Sequence, residues 1–548
     1  MAETLEKSAA AQPPETGSTD TGRLEGASMG RIIAVLATIV LFSEVVPLQY
    51  AMISTATPNI AKSFPSVGEN IAWMTIIISL VGGAISPLIG KMADLWGKKK
   101  MLLGCSVSFL IGSLICALTS SWALFLIGRG LQAVAFAMTA IVFSLIRDLM
   151  PRKFVPVAIG VSATGLGMSA ALAPILGGVL TDHYSWRSLF WFLFIFMLVL
   201  IPALIALVPE SKLRVKQKLD AVGSLLLGGA VALLLVYISN GESWGWFKAT
   251  CIAYAIGGVL LLVGFAFWEK NVDEPFMDLK ILTHPRVLVV IAIAFLANII
   301  VGVQTYATTY IAQTPKGDDL KPMLEGAVGQ GAAQAQGLPN EAVPQILAQM
   351  KQFISFNDPL EYSLGFSLLA MALHFMIWQS LLSMVAGPIT GGMAKRYGLR
   401  ILLAAGMGIM TVSMLMYVFM HGSWVGLLIA GLVYGVAFGM YYAAAPNLMI
   451  EAVPQEQQGV SAGMLVVGQA FGAAVGTAIA SAILAANKFT MTVAVPGMPK
   501  KENEIPQVYT DNAYTTGFWM LVGVGALATV LAIFMKHGRK PATGGLLH

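Results

Sequence analysis

Fourteen stretches of roughly twenty apolar residues recur along the chain, and no other feature limits the fold so severely. They run through about 32–53, 70–90, 101–119, 122–146, 155–180, 188–208, 221–239, 249–268, 287–311, 364–390, 401–419, 424–447, 459–485 and 516–535. A helix rises about 1.5 Å per residue, so each stretch is long enough to cross a hydrocarbon core of about 30 Å. Lipid offers no partners to peptide N–H and C=O groups, so only helices or closed barrels span it. Apolar runs of this length leave the helix. The fold class expected is an all-α integral membrane protein with 14 transmembrane helices.

Charge supports that reading. Only 11% of the 548 residues are charged and 57% are hydrophobic, whereas a soluble domain carries about 25% charged residues. The net charge of +5 does not indicate a nucleic-acid partner, because the basic residues fall in short runs between the apolar stretches. With the N-terminus inside, 23 of the 33 Lys and Arg residues lie in cytoplasmic segments, 9 lie outside, and Arg129 lies within a span. The positive-inside rule then places both termini in the cytoplasm of a multi-pass protein of the inner (plasma) membrane.

The three cysteines, Cys105, Cys116 and Cys251, lie inside apolar stretches without ligand spacing, so neither a disulfide framework nor a metal site is expected. Residues 1–29 are polar and lack the apolar core of a secretory signal, reading as a disordered cytoplasmic tail. Residues 541–548 form a second tail. Residues 312–363 form an extracytoplasmic insertion in which Val343, Ile346, Leu347, Met350 and Ile354 recur at helical spacing. That segment is either a packed surface loop or a lid or docking surface, for instance for a periplasmic adaptor.

The chain repeats itself. GKMADLWGKKK at 90–100 and GGMAKRYGLR at 391–400 share Gly90/Gly391, Met92/Met393, Ala93/Ala394 and Gly97/Gly398 at an offset of 301. GVSA at 160–163 returns at 459–462, an offset of 299. Secondary transporters are commonly built from such duplicated halves, with the substrate site between them. Six helices per half give an N-terminal bundle at 30–210 and a C-terminal bundle at 286–540. A linker at 211–285 then carries the two additional helices.

These motifs resemble the major facilitator superfamily, in particular its fourteen-span drug:proton antiporter branch, over about 32–536. The 90–100 segment is similar to that family's cytoplasmic loop motif. The resemblance implies a conformational latch of Gly90, Asp94, Gly97 and Lys98, with Asp94 meeting a helix start and Arg147. LIGRGLQAVAFAM at 126–138 resembles the family motif with intramembrane Arg129 and Gln132. Such an arginine faces a partner or wet cavity, or else snorkels to the surface. GLGMSAALAPILGG at 165–178 resembles the antiporter motif, with Gly165, Pro174, Gly177 and Gly178, and Ala173 where the family usually has glycine. Small residues there also suit plain helix packing.

The first span departs from the family. Its usual Asp, about nine residues before a Pro, is Gln49 within LQYAMISTATP, and an amide carries no exchangeable charge. Glu44 lies five residues earlier. A carboxylate at that depth is desolvated, and taking up a proton removes the charge that desolvation penalises. Glu44 is therefore the nominated proton-coupling group. A neutral structural Glu, or coupling through another group such as His374, are the alternatives. Asn298, Gln304, Tyr306, His374, Trp378 and Gln379 are candidates for a substrate cavity, against helix-to-helix contacts or lipid-facing positions.

No GxxxxGKS or GxxxxGKT loop and no HExxH pattern is present, so ATP-driven transport and metalloprotease-type hydrolysis are disfavoured and no enzyme activity is expected. The expected function is secondary active transport without a cofactor, driven by the proton gradient. It exports amphipathic drugs or other lipophilic small molecules by alternating access. The rival is a proton-coupled importer or exporter of a specific metabolite or lipid. The partners expected are a small-molecule substrate, protons and the lipid bilayer.

Overall fold

The computed structural model describes residues 23–151, 154–212, 220–273, 275, 279–335, 343–356, 362–453, 458–494 and 500–538. Helix occupies each of the fourteen apolar stretches. The first six are α1 (Met29–Thr55), α2 (Trp73–Trp96), α3 (Lys98–Leu118), α4 (Trp122–Leu149), α5 (Val155–His183) and α6 (Arg187–Leu207). Then come α7 (Ala221–Trp244), α8 (Ala249–Asn271), α9 (Pro285–Gln313) and α10 (Leu368–Ala394, continuing to Tyr397). The last four are α11 (Leu399–Met420), α12 (Trp424–Glu451), α13 (Gln458–Ala485) and α14 (Asp511–Phe534). Among the described residues, 12 helices are long and apolar enough to cross a membrane. The number is 13 if Asn70–Ser86 and Leu88–Trp96, bent by 45° where they meet, form one span. Fourteen were expected; the remaining stretch is α5.

The helices pack in a pattern that occurs twice. α1 packs on α4, α5 and α6, α2 on α4, and α3 on α4 and α6. Eight helices later the same relations return: α9 on α12, α13 and α14, α10 on α12, and α11 on α12 and α14. The contacts between the two sets obey the same shift, α2 meeting α13 and α5 meeting α10. α7 and α8 pair with each other, and α7 lies against α2 and α13. The sequence repeat is thus also a repeat of packing.

The matching turns show why two glycines recur. Between α2 and α3, Gly97 has φ 120° and ψ 133°; between α10 and α11, Gly398 has φ 80° and ψ 151°. A Cβ is strongly disfavoured at such dihedrals, and glycine lets one helix stop and the next begin within a single residue. The end of the bundle carrying these turns is called here the turn end, and the opposite end the insertion end.

At the insertion end the fold adds a small sheet that apolar periodicity did not announce. β1 (Ile354–Phe356), β2 (Lys488–Val493) and β3 (Lys501–Tyr509) form an antiparallel sheet in that order. It ties the 312–363 insertion to the loop before α14. The Tyr362 hydroxyl donates to the Tyr509 carbonyl (2.5 Å), and burial pushes that phenol up to about 12. The amphipathic segment is helical over Val343–Met350, and it packs on a second helix, Gly317–Ala335. There Val343 and Leu347 approach Gly329 so closely that an added Cβ would lie 3.3 Å from each. The tails at 1–22 and 539–548 lie outside the described residues.

Close helix contact in lipid depends on small side chains, because there is no hydrophobic drive between helices in hydrocarbon. α10 and α12 meet at Gly435, where an added Cβ would lie 2.2 Å from the Gln379 carbonyl oxygen. Gly435→Ala is expected to destabilise the protein by about 1–3 kcal/mol through overpacking. A lower melting temperature of the purified variant checks this; an unchanged melt would contradict the packing described.

Candidate functional site

α1 is two helices, Met29–Ser43 and Val45–Thr55, joined at Glu44. Pro47 explains the break: it has no N–H, and its ring crowds the carbonyl of the residue four before it, Ser43. Glu44 therefore sits near mid-span at a helix joint and is 5% exposed. The Ser43 hydroxyl donates to its Oε1 (3.2 Å), and Ser169 of α5 lies near the carboxylate. Its Oε2 is buried without a hydrogen-bond partner among the described residues. A carboxyl group held this way is cheaper to keep neutral than charged, and its chemistry is taking up and releasing a proton.

Gln49 is fully buried, and neither its amide oxygen nor its nitrogen has a partner among the described residues. Next to it, half-buried Tyr50 reaches Thr477 of α13, across the junction of the two helix sets. Arg129, 1% exposed, does not snorkel to the surface. Its Nε donates to the Met74 carbonyl (3.0 Å) and its guanidinium to Gln132 Oε1 (2.7 Å). Gln132 in turn donates to Ser113 Oγ (2.8 Å), so α2, α3 and α4 are cross-linked by one polar chain. Phe190 of α6 lies under the guanidinium at 5.8 Å.

In the second set, Asn298 and Gln304 of α9 are buried but occupied with neighbouring helices. Asn298 and Gln469 both donate to the Tyr441 hydroxyl (2.9 Å each), and Gln304 donates to the Tyr417 hydroxyl (3.1 Å). Tyr306 is buried beside Tyr310, and Gln379 is half-buried against Gly431 of α12. Two other candidates are exposed: His374, bonded to the Ala370 carbonyl and packed at a tilt on Phe366, and Trp378, 50% exposed. A π-helical stretch, Ala372–Met376, precedes Trp378 and shifts the helix face. Sequence spacing gave no warning of it.

The latch at the turn end also differs from expectation. Arg147 is exposed, and the buried partner is its neighbour Asp148. Successive helical residues are about 100° apart, and here Asp148 faces inward while Arg147 does not. Lys98 Nζ reaches Asp148 Oδ2 at 2.5 Å and Asp94 Oδ1 at 3.4 Å, and Ser211 Oγ donates to Asp148 at 2.6 Å. Glu210, not Asp94, meets the start of α3, accepting from the backbone N–H groups of Lys99 (3.0 Å) and Lys100 (3.2 Å). Gly90 has open space around it. On α5, Pro174 lies inside the helix, Gly177 and Gly178 face α1 and α10, and the surroundings of Gly165 are outside the description. Sequence reasoning missed Asp148, Ser169, Glu210 and Ser211, which carry no motif and are identified only by burial and partners.

Lys98 and Asp148 are 8% and 7% exposed in their side chains. Lys98→Met should cost about 3–5 kcal/mol, because it leaves Asp148 buried beside too few donors. The double change Lys98→Met with Asp148→Leu should recover much of that loss. A double-mutant cycle on thermal melting tests this, and additive losses would show that the pair is not coupled.

Comparison with known proteins agrees with this architecture. The family model described as Major Facilitator Superfamily matches residues 39–334 and 346–546. An uncharacterised MFS-type transporter of Bacillus subtilis, YvkA, is 30% identical over 247 residues, 45% of this chain, and the chain spans 54% of that relative's length. The multidrug resistance protein Stp of Mycobacterium tuberculosis is 23% identical over 443 residues, covering 80% of this chain and 73% of that protein. The human organic anion transporter MFSD10 shares the fold at a TM-score of 0.53 and 13% identity, covering 91% of this chain and 99% of its own. With the doubled helix packing, the paired glycine turns and a family match over most of its length, the chain belongs to the Major Facilitator Superfamily.

Proposed function

We propose that this transporter couples the export of amphipathic, drug-like molecules to proton entry, with Glu44 as the proton-carrying group. One observation carries the reading: a carboxyl group at a mid-span helix joint, buried, with one oxygen unpartnered among the described residues. An intramembrane ionisable group that the fold leaves undersatisfied is expensive and is retained for function. The name of the mycobacterial relative, a multidrug resistance protein, supports the choice of substrate class.

In this mechanism α1–α6 and α9–α14, the expected bundles at about 30–210 and 286–540, move as two bodies about the junction near Tyr50 and Thr477. Protonation of Glu44 stabilises one access state, and substrate binding stabilises the other. Coupling is the difference in affinity between states. α5, a 29-residue helix whose ionisable residues, Asp182 and His183, come only in its last turn, is taken as a membrane span, which brings the number to fourteen. The turn end bears Lys91, Lys98, Lys99, Lys100, Arg147, Arg396 and Arg400 and is taken as cytoplasmic, with both chain termini on that side.

The test is proton-driven dye efflux in everted membrane vesicles. Glu44→Gln keeps the shape and removes the exchangeable proton, so substrate-induced collapse of the pH gradient should fall to background while dye binding persists in part. Glu44→Asp should retain measurable coupling. Efflux at the parental rate with the usual gradient dependence in Glu44→Gln would overturn the assignment.

A further inference from the structure

The two helix sets are joined at the insertion end by a contact that neither the family motifs nor the coupling reading uses. The carboxylate of Asp182, at the end of α5, accepts from the backbone N–H groups of Leu368 (3.3 Å) and Leu369 (2.9 Å) at the start of α10. The N–H of Ala370, next in line, is bonded instead to the hydroxyl of Ser367 (3.2 Å). One helix end is therefore capped from two sources: its own Ser367 serves the third N–H, and a carboxylate from the other helix set serves the first two.

A second set of contacts holds the same place. One turn before Asp182, Gly178 lies so close to α10 that a Cβ there would sit 2.4 Å from Leu369 Cα. An added Cβ on Gly177 would lie 3.5 Å from Met52 Cα and 3.6 Å from the Leu368 side chain. Beside them the amide of Gln313, ending α9, donates to the Thr55 carbonyl, ending α1 (2.6 Å). α1 and α5 of one set are thus closed upon α9 and α10 of the other, and Thr55 is fully buried in the seam.

We propose that Asp182 is a gating residue: its carboxylate is a removable helix cap that holds the insertion end shut between transport strokes. This deepens the alternating-access reading and rests on it. A carboxylate at a helix N-terminus gains from both the free N–H groups and the helix dipole. It is exposed at the rim, so water replaces it when the sets part. Ser367 travels with α10 and keeps the helix end from fraying, so opening breaks the latch without unwinding the helix. At the offset of 299 that relates the two GVSA segments, Asp182 corresponds to Ser481 of α13. Only one of the two equivalent positions carries a charge, so the latch is one-sided.

The experiment places a cysteine in the seam, Thr55→Cys, in the full chain reconstituted in nanodiscs. It follows labelling by a membrane-impermeant maleimide; Cys105, Cys116 and Cys251 are buried, and the chain without Thr55→Cys sets the background. Adding Asp182→Ala should speed labelling about five- to thirty-fold, the range expected for loss of a cap. Asp182→Asn, which keeps an acceptor but not the charge, should fall between. Ser367→Ala should leave the rate at the parental value, because its cap is internal to α10. Labelling of Asp182→Ala within about twofold of the parent overturns the proposal, as does equal acceleration by Ser367→Ala, which would reduce both residues to ordinary helix caps. If Asp182→Ala does not give monodisperse protein, Asp182→Asn carries the same comparison, and a parental rate there overturns the proposal. Repeating the pair in Glu44→Gln separates the two readings: acceleration that persists there upholds the latch whatever becomes of proton coupling.

Discussion

Hydrocarbon cannot hydrogen-bond, and the rest of this structure depends on that constraint. It forces the backbone into helix, and it makes each polar side chain at depth either a cross-link or a liability. Most here are cross-links. Arg129, Gln132 and Ser113 form a closed chain with the Met74 carbonyl, and Asn298 and Gln469 converge on one tyrosine hydroxyl. Glu44 and Gln49 are among the exceptions, with buried atoms left unbonded among the described residues, as Thr75, Thr181 and Ser239 also have. Glu44 adds to this an ionisable group at a mid-span helix joint, which is why it is chosen for the proposed coupling role.

The two ends of the bundle handle charge differently. At the turn end, Lys98, Asp94, Asp148 and Ser211 form a network within the first set of helices, and Glu210 caps α3. At the insertion end, polar contacts run within a set, as from His421 to Asp511 (2.8 Å), and also cross from one set to the other, through Asp182 and Gln313. β3 adds Gln507, held in a left-handed conformation (φ 62°), which accepts from the Tyr310 hydroxyl and donates to the Gly68 carbonyl (3.4 Å). In the proposed mechanism, contacts inside a set stiffen a moving body, whereas contacts between sets must be made and broken as the bodies move. The described contacts therefore correspond to an arrangement closed at the insertion end.

The packing repeat reached further than the sequence repeat. Four matched positions and one tetrapeptide suggested duplication, yet the helix contacts reproduce one another throughout both sets, down to the reciprocal pairs α2–α13 and α5–α10. Backbone geometry at Gly97 and Gly398 survived because a turn that tight excludes any residue with a Cβ. At the position equivalent to Asp94, which pairs with Lys98, the second set has Lys395.

The sequence by itself determined the membrane class, the positions of the helices, the duplication and the family, because hydropathy and glycine turns are local properties of the chain. It also picked out Glu44 and Arg129, since an ionisable residue inside an apolar run is conspicuous. The tertiary structure decided which polar groups meet. It replaced Arg147 by Asp148, left His374 and Trp378 exposed, joined two distant loops in a sheet and brought Asp182 to α10. Those outcomes depend on helix rotation and on contacts between residues far apart in the chain, for which spacing along the sequence carries no record.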